Sequence, residues 1–237
     1  MLPSISQAHS ASAAAGVAPS LLAAASASPR GRARKHSAQP FPAPLAEFRP
    51  TQMAVGMRAV AAKRVKVERR TESARKLRKY LEKRPVPAIL GPDGGYHIID
   101  HHHLSLALWQ SDVDEAFVTV IGDLSHLSKQ GFLQKMSADR LLHSYDADGR
   151  RVCPTRLPAS LGELKCDSYR DLAWSVREAG GFAKSAAPFA EFRWATFFRE
   201  RIAAAAVRRD FERAHDSAMR LSRSWDARRL PGYLGPA

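Results

Sequence analysis

Apolar residues recur along this chain at two spacings, and the alternation between them outlines the elements. A short extended piece, Leu45 to Phe48, is broken by Pro50. Val55, Ala59 and Ala62 then fall at helical spacing, and Ala74, Leu77 and Leu81 do so again. Pro85 and Pro87 end that second helix, because proline has no N–H for the helical ladder. Pro87-Ala88-Ile89-Leu90 and Tyr96-His97-Ile98-Ile99 flank Pro92-Asp93-Gly94-Gly95, whose glycines accept the positive φ of a tight turn, which predicts a β-hairpin. Leu104, Ala107 and Leu108 mark an amphipathic helix, and Ala116 to Ile121 predicts a buried third strand ended by Gly122. A helix follows around Leu127 to Leu142, with Phe132, Leu133 and Met136 inward, and Asp146-Ala147-Asp148-Gly149 predicts a loop or turn.

The last third reads as helical. Tyr169, Leu172, Ala173 and Val176 share a face, and Gly180-Gly181 stops that helix. From Phe189 a long pattern begins. Phe192, Phe198, Ile202 and Ala205 suit one inward stripe, while Phe211, Ala214, Ala218, Leu221 and Trp225 alternate three and four apart as in a coiled-coil seam. Arg199, Arg208, Arg209, Arg220 and Arg223 then coat its exposed flank. The pattern divides the chain into an α/β domain over residues 45–145 and a helical C-terminal extension over residues 146–237. Residues 1–44 contain no Asp or Glu and many Ala and Ser, a composition that predicts a disordered basic tail, with an organellar targeting segment as the minor alternative.

Composition narrows the class. The 237 residues are 45% hydrophobic, enough for one well-buried core, and no apolar run approaches the roughly 18 residues of a membrane span. Cys153 and Cys166 lack the spacing of a redox pair or zinc knuckle, so a reducing cytoplasm is the simplest home. The net charge of +14 and pI near 10.4 favour phosphate-bearing partners. Between Lys63 and Arg84, eleven Lys and Arg face only Glu68, Glu72 and Glu82, which reads either as a solvated helix surface or as a nucleic-acid contact.

The motifs Pro50-Thr51-Gln52, Gly91-Pro92-Asp93-Gly94 and Ile99-Asp100-His101-His102-His103-Leu104 resemble those of the ParB-like nuclease family, a branch of the ParB/sulfiredoxin superfamily. Asp123-Leu124-Ser125, Asp167 to Ala173, Gly180-Gly181 and Pro188 to Ala195 resemble it in order and spacing as well, so the likeness runs from about Leu45 to Trp194. The resemblance implies a small α/β fold with a mixed sheet, in which a strand-to-helix turn binds nucleotide phosphates, as in CTP-binding partition proteins, ATP-using sulfiredoxins and a free-serine kinase. Asp100 stands where the superfamily usually has glycine, and His103 where it has arginine. Sulfiredoxin chemistry needs a cysteine at the position of His101, and no helix-turn-helix of a partition protein is legible after Leu127, so neither activity transfers.

The turn itself offers several roles. Asp100 reads as an N-cap of the next helix, or as a catalytic base or magnesium ligand. Successive helical side chains diverge, so at least one of His101, His102 and His103 faces a pocket; His102 and His103 are expected to contact phosphate and to act with Asp100 in any catalysis. Thr51 and Gln52 are expected to close the opposite wall. Asp123, at the end of the third strand, is read either as a second metal and ligand contact beside the turn or as a helix cap, and Arg170 with Glu191 as an ion pair or a catalytic element. Three functions follow: a nuclease, phosphohydrolase or phosphotransferase using a nucleoside triphosphate and magnesium, a non-catalytic nucleotide-responsive module that docks nucleic acid or protein, or a structural helical protein. Fold alone does not choose among them.

Overall fold

The computed structural model describes residues 39–236, so most of the expected N-terminal tail lies outside the described residues. The first strand, β1 (Phe41–Pro44), begins inside the segment read as tail, and a 3-10 turn joins it to β2 (Phe48–Pro50). Next come β3 (Ala54–Val55), α1 (Met57–Thr71), α2 (Ala74–Glu82), β4 (Val86–Leu90), β5 (Tyr96–Ile98) and α3 (His102–Trp109). The chain continues through β6 (Glu115–Asp123), α4 (Lys129–Ala138), β7 (Lys165–Cys166), α5 (Ser168–Glu178), α6 (Ala190–Arg199), α7 (Ala204–Arg209) and α8 (Phe211–Ser222).

Five strands form one mixed sheet in the order β1-β6-β4-β5-β2. Pro42, Pro44 and Pro50 fall on β1 and β2, the two outer strands, where a missing N–H donor is tolerated, while Pro87 sits at the second position of the central β4. Strand β4 runs parallel to β6 but antiparallel to β5, while β2 runs parallel to β5. The C-terminal ends of β2 and β5 therefore lie at one end of the sheet and that of β6 at the other. Gly122 does not end β6 as expected. The register slips between Ala88 and Ile89, so that Val120 pairs with Ala88 and Gly122 with Ile89. The glycine sits where a Cβ would lie 2.7 Å from Ile89 Cδ1, marking a bulge rather than a stop.

One core lies between the sheet and α1 to α3, around Phe48, Val60, Leu81, Tyr96, Leu108 and Val118. A second holds α5 to α8 together around Leu172, Val176, Trp194, Phe198 and Ala218, and a small third packs Phe132 and Met136 of α4 on Ile89. Helix α1 starts later than its apolar spacing suggests, since Val55 is a strand residue paired with Cys166. Its cap comes from another element: Asp171 Oδ1 on α5 accepts the N–H of Arg58 at 2.7 Å and of Ala59 at 3.3 Å. The long seam expected after Phe189 is instead three helices. The Tyr169 hydroxyl donates to the Ile202 carbonyl at 2.5 Å in the first break, and Asp210 caps α8 by accepting Arg213 N–H at 3.0 Å. Two side chains of the expected stripe and coat change places as a result: Trp225 is 67% exposed, while Arg199 is drawn inward onto Asp167.

Candidate functional site

The polar turn forms where β5 meets α3. Ile99 N–H donates to the Pro87 carbonyl, the last sheet bond, and His101 then adopts the left-handed backbone (φ 63°) before the helix starts. His101, not Asp100, occupies the cap position, and no side chain caps α3. Asp100 is exposed and its Oδ1 accepts the N–H of its own neighbour His101 at 2.6 Å. The first N–H groups of α3, those of His102 to Leu104, thus meet no side-chain acceptor, and the helix dipole leaves partial positive charge there.

The three histidines diverge as helical geometry requires, and two of them turn inward. His102 Nε2 accepts the Thr51 N–H at 3.2 Å, and His103 Nε2 accepts the Gly56 N–H at 3.3 Å. Each ring thereby ties the N-terminus of α3 to the segment between β2 and α1. Acceptance at Nε2 requires the neutral ring with its proton on Nδ1. Burial, then the nearby Arg170 charge, lowers His102 to about 3, and the same two causes hold His103 well below the ordinary imidazole value. His101 faces outward more. Burial lowers its pKa, Asp100 opposes that, and the Lys63 and Arg84 charges add to the lowering; its Nδ1 is buried with no hydrogen-bond partner among the described residues. Lys63 is itself pushed down by burial and by Lys66 and Arg84, so cations crowd this end of the sheet.

Because β2 and β5 are parallel, Thr51 just after β2 lies beside the turn, whereas Gln52 has no hydrogen bond to the turn among the described residues. Both are buried; Thr51 Oγ1 donates to the Ile98 carbonyl at 2.8 Å, and Gln52 forms an isolated bridge with His143. Asp123 does not lie there. It pairs with Leu90 at the far end of β4, whereas Ile99 bonds to Pro87 at the near end, which separates Asp100 from Asp123 by about 10–15 Å of strand at roughly 3.3 Å per residue. The reversed direction of β5 is the reason. Asp123 instead accepts the Ser125 N–H at 2.9 Å and hydroxyl at 2.6 Å, and α4 is capped by Ser128. Asp100 and Asp123 therefore do not fit a shared magnesium site, and among the described residues no group of three or more His, Cys, Asp or Glu converges as a metal-binding set.

Arg170, read from sequence as half of an ion pair, proves more central. It is 5% exposed, its Nη2 stands 3.8 Å from Glu191 Oε2, and its guanidinium lies 3.5 Å from the centre of the Phe192 ring. Glu191 also contacts Arg177. The charge of Arg170 lowers the pKa of His102, His103 and His143 alike. No local spacing announces that role, since these histidines stand in other elements. Among the described residues no helix is long and apolar enough to cross a membrane.

A mixed sheet flanked by helices, with an uncapped β5-to-α3 turn near Lys63 and Arg84, defines an α/β protein. The family model described as "Putative ParB-like nuclease" matches residues 41–200, more than half of the chain, and the chain belongs to the ParB-like nuclease family. The crystal structure of protein Atu1540 from Agrobacterium tumefaciens is similar at a TM-score of 0.75 and 36% sequence identity, over 84% of this chain and 99% of that one. None of the curated proteins matches.

Proposed function

We propose that this chain is a phosphate-binding module. Phosphates of a nucleotide or of nucleic acid dock on the open N-terminus of α3, flanked by Lys63, Arg84 and His101, and the basic faces of α1 and α2 extend the contact along a nucleic-acid backbone. The observation that carries this reading is the engagement of His102 and His103 Nε2 by main-chain N–H groups. Both rings are neutral acceptors inside the fold, which takes them out of proton transfer and phosphate pairing and leaves the α3 main chain as the anion-binding element. Magnesium arriving with a nucleoside triphosphate would meet Asp100 here, and not Asp123.

A second reading keeps catalysis, because Asp100 is exposed and among the described residues its carboxylate accepts only its neighbour's N–H, so a carboxylate oxygen is accessible as a base or cation ligand. Two measurements on the full chain decide. Thermal unfolding with millimolar ATP, CTP or inorganic triphosphate, with and without magnesium, is expected to show stabilisation that Lys63→Glu reduces. No shift with any of them removes the turn as a phosphate site. Turnover of nucleotides and of single- and double-stranded nucleic acid by wild type and Asp100→Asn is expected to stay at background; wild-type turnover abolished by Asp100→Asn with binding intact would establish the enzymatic reading instead.

A further inference from the structure

A cavity borders the β2–β3 segment at Ala54. It lies between residues 137–154 and the pair α5–α6 and has a volume of about 710 Å³, within the size range of small-molecule sites. Arg140, Arg151, Arg170, Arg193, Arg199 and Arg201 line it. The carboxylates in its wall already have partners. Asp167 takes Arg199 Nη2 at 2.6 Å, Glu200 takes Arg201 Nη1 at 3.1 Å, and Asp146 Oδ1 accepts the N–H of Asp148 at 3.0 Å and Arg150 at 2.8 Å. Arg140 and Arg151 form no ion pair among the described residues, and both are exposed at the rim.

Arg170 adds a buried charge to this wall. Its Nε and Nη1 have no hydrogen-bond partner among the described residues, although a guanidinium carries five donors and burial makes each open one costly. Beside it stands a ladder of rings: His143 lies 3.6 Å from the Phe192 centroid, 4.8 Å from Tyr145 and 5.3 Å from Phe189, and all four line the cavity. Two cavity residues, Arg140 (φ 57°) and Phe189 (φ 55°), hold left-handed backbone that side-chain-bearing residues rarely adopt, a strain that persists where the surrounding structure demands their placement.

We propose that this cavity binds a nucleoside phosphate, its phosphate paired with the rim arginines Arg140 and Arg151 in the field of the buried Arg170, and its base set against the exposed Tyr145 ring that packs beside His143. Guanidinium forks match phosphate oxygens, and aromatic faces accept any flat base. The assignment is independent of the turn, and the variants separate the two sites.

The test is calorimetric titration of the full chain with adenosine monophosphate, inorganic phosphate and adenosine. Adenosine monophosphate is expected to bind more tightly than either half alone. Arg140→Glu and Arg151→Glu, both at exposed positions, should each weaken it about tenfold or more, the loss expected for one charge-assisted contact. The losses in Arg140→Glu and Arg151→Glu should be as large in a Lys63→Glu background, which takes the turn out of the measurement, and Tyr145→Leu should reduce the advantage over inorganic phosphate. The proposal is overturned if adenosine monophosphate does not bind, if both rim variants retain wild-type affinity, if Lys63→Glu rather than the rim variants abolishes binding, or if inorganic phosphate binds equally well.

Discussion

His102 shows how a residue type that suggests catalysis can serve the fold. A ring nitrogen that accepts a buried main-chain N–H must stay unprotonated, so its proton affinity becomes a stability term. In the unfolded chain the imidazole takes a proton near 6.5, and in the fold His102 takes it only at about 3. Its contribution is fully present above pH 6.5 and is lost as pH falls towards 3, at a slope of about 1.4 kcal/mol per pH unit. His103 and His143 are shifted the same way, His143 also to about 3, through burial and Arg170. Asp171 opposes them: burial raises it to about 6, so its contribution is full below 3.8 and is lost as pH rises through 6. With three histidines against one carboxyl, unfolding free energy from urea titration is expected to fall from pH 7 to pH 5. His102→Gln, which keeps an acceptor but cannot titrate, should flatten that fall; an unchanged slope would show that the ring is not the neutral acceptor described. The histidine run was legible as important from sequence alone. Its bonds to Thr51 and Gly56 were not, because both partners lie about fifty residues earlier and are main-chain groups, identical at every position.

At the scale of elements, caps divide into local and borrowed ones. Ser128 caps α4 by accepting the Gly131 N–H at 3.1 Å, a local bond between near neighbours in sequence. Asp171 caps α1 across 113 residues, and the same residue sits on the buried face of α5. Ser128→Ala is expected to cost about 1 kcal/mol, the usual value of a surface cap, whereas Asp171→Ala should cost about 2 kcal/mol because it strands donors where water cannot reach. Asp171→Asn keeps an acceptor and should recover most of the difference. Equal losses for the two alanine variants, measured by urea unfolding, would show that the α1–α5 link adds nothing beyond a local cap. Gly56 supports the link, since a Cβ there would lie 2.5 Å from Asp171 Oδ1. Helix and strand periods located the helices and the hairpin because packing imposes those periods on the sequence. The breaks after Arg199 and Arg209 escaped it, because the apolar spacing runs on across residues whose carbonyls and N–H groups are satisfied by Tyr169 and Asp210.

For the whole molecule, charge and topology act together. The cationic run on α1 and α2 is exposed at Arg75 and Lys79, so nucleic-acid binding through it is expected to be weakly sequence-specific and strongly salt-dependent. Arg75→Glu with Lys79→Glu should weaken all sequences alike and reduce the slope of log affinity against log salt by about 2. Salt-insensitive binding to one defined sequence would contradict this. The amino-acid order by itself determined the α/β class, the hairpin, the basic face and the family motifs, since each is written in short-range periodicity, turn residues or composition. Only the tertiary structure decided which of the marked residues share a site. The placement of β5, parallel to β2 and antiparallel to β4, brought Thr51 to the turn and sent Asp123 to the opposite end of the sheet. The folding of α5 and α6 against residues 137–154 gathered Arg170, His143 and Phe192 around one cavity. Strand direction and helix docking are set by the burial of whole faces, which no local stretch of sequence contains.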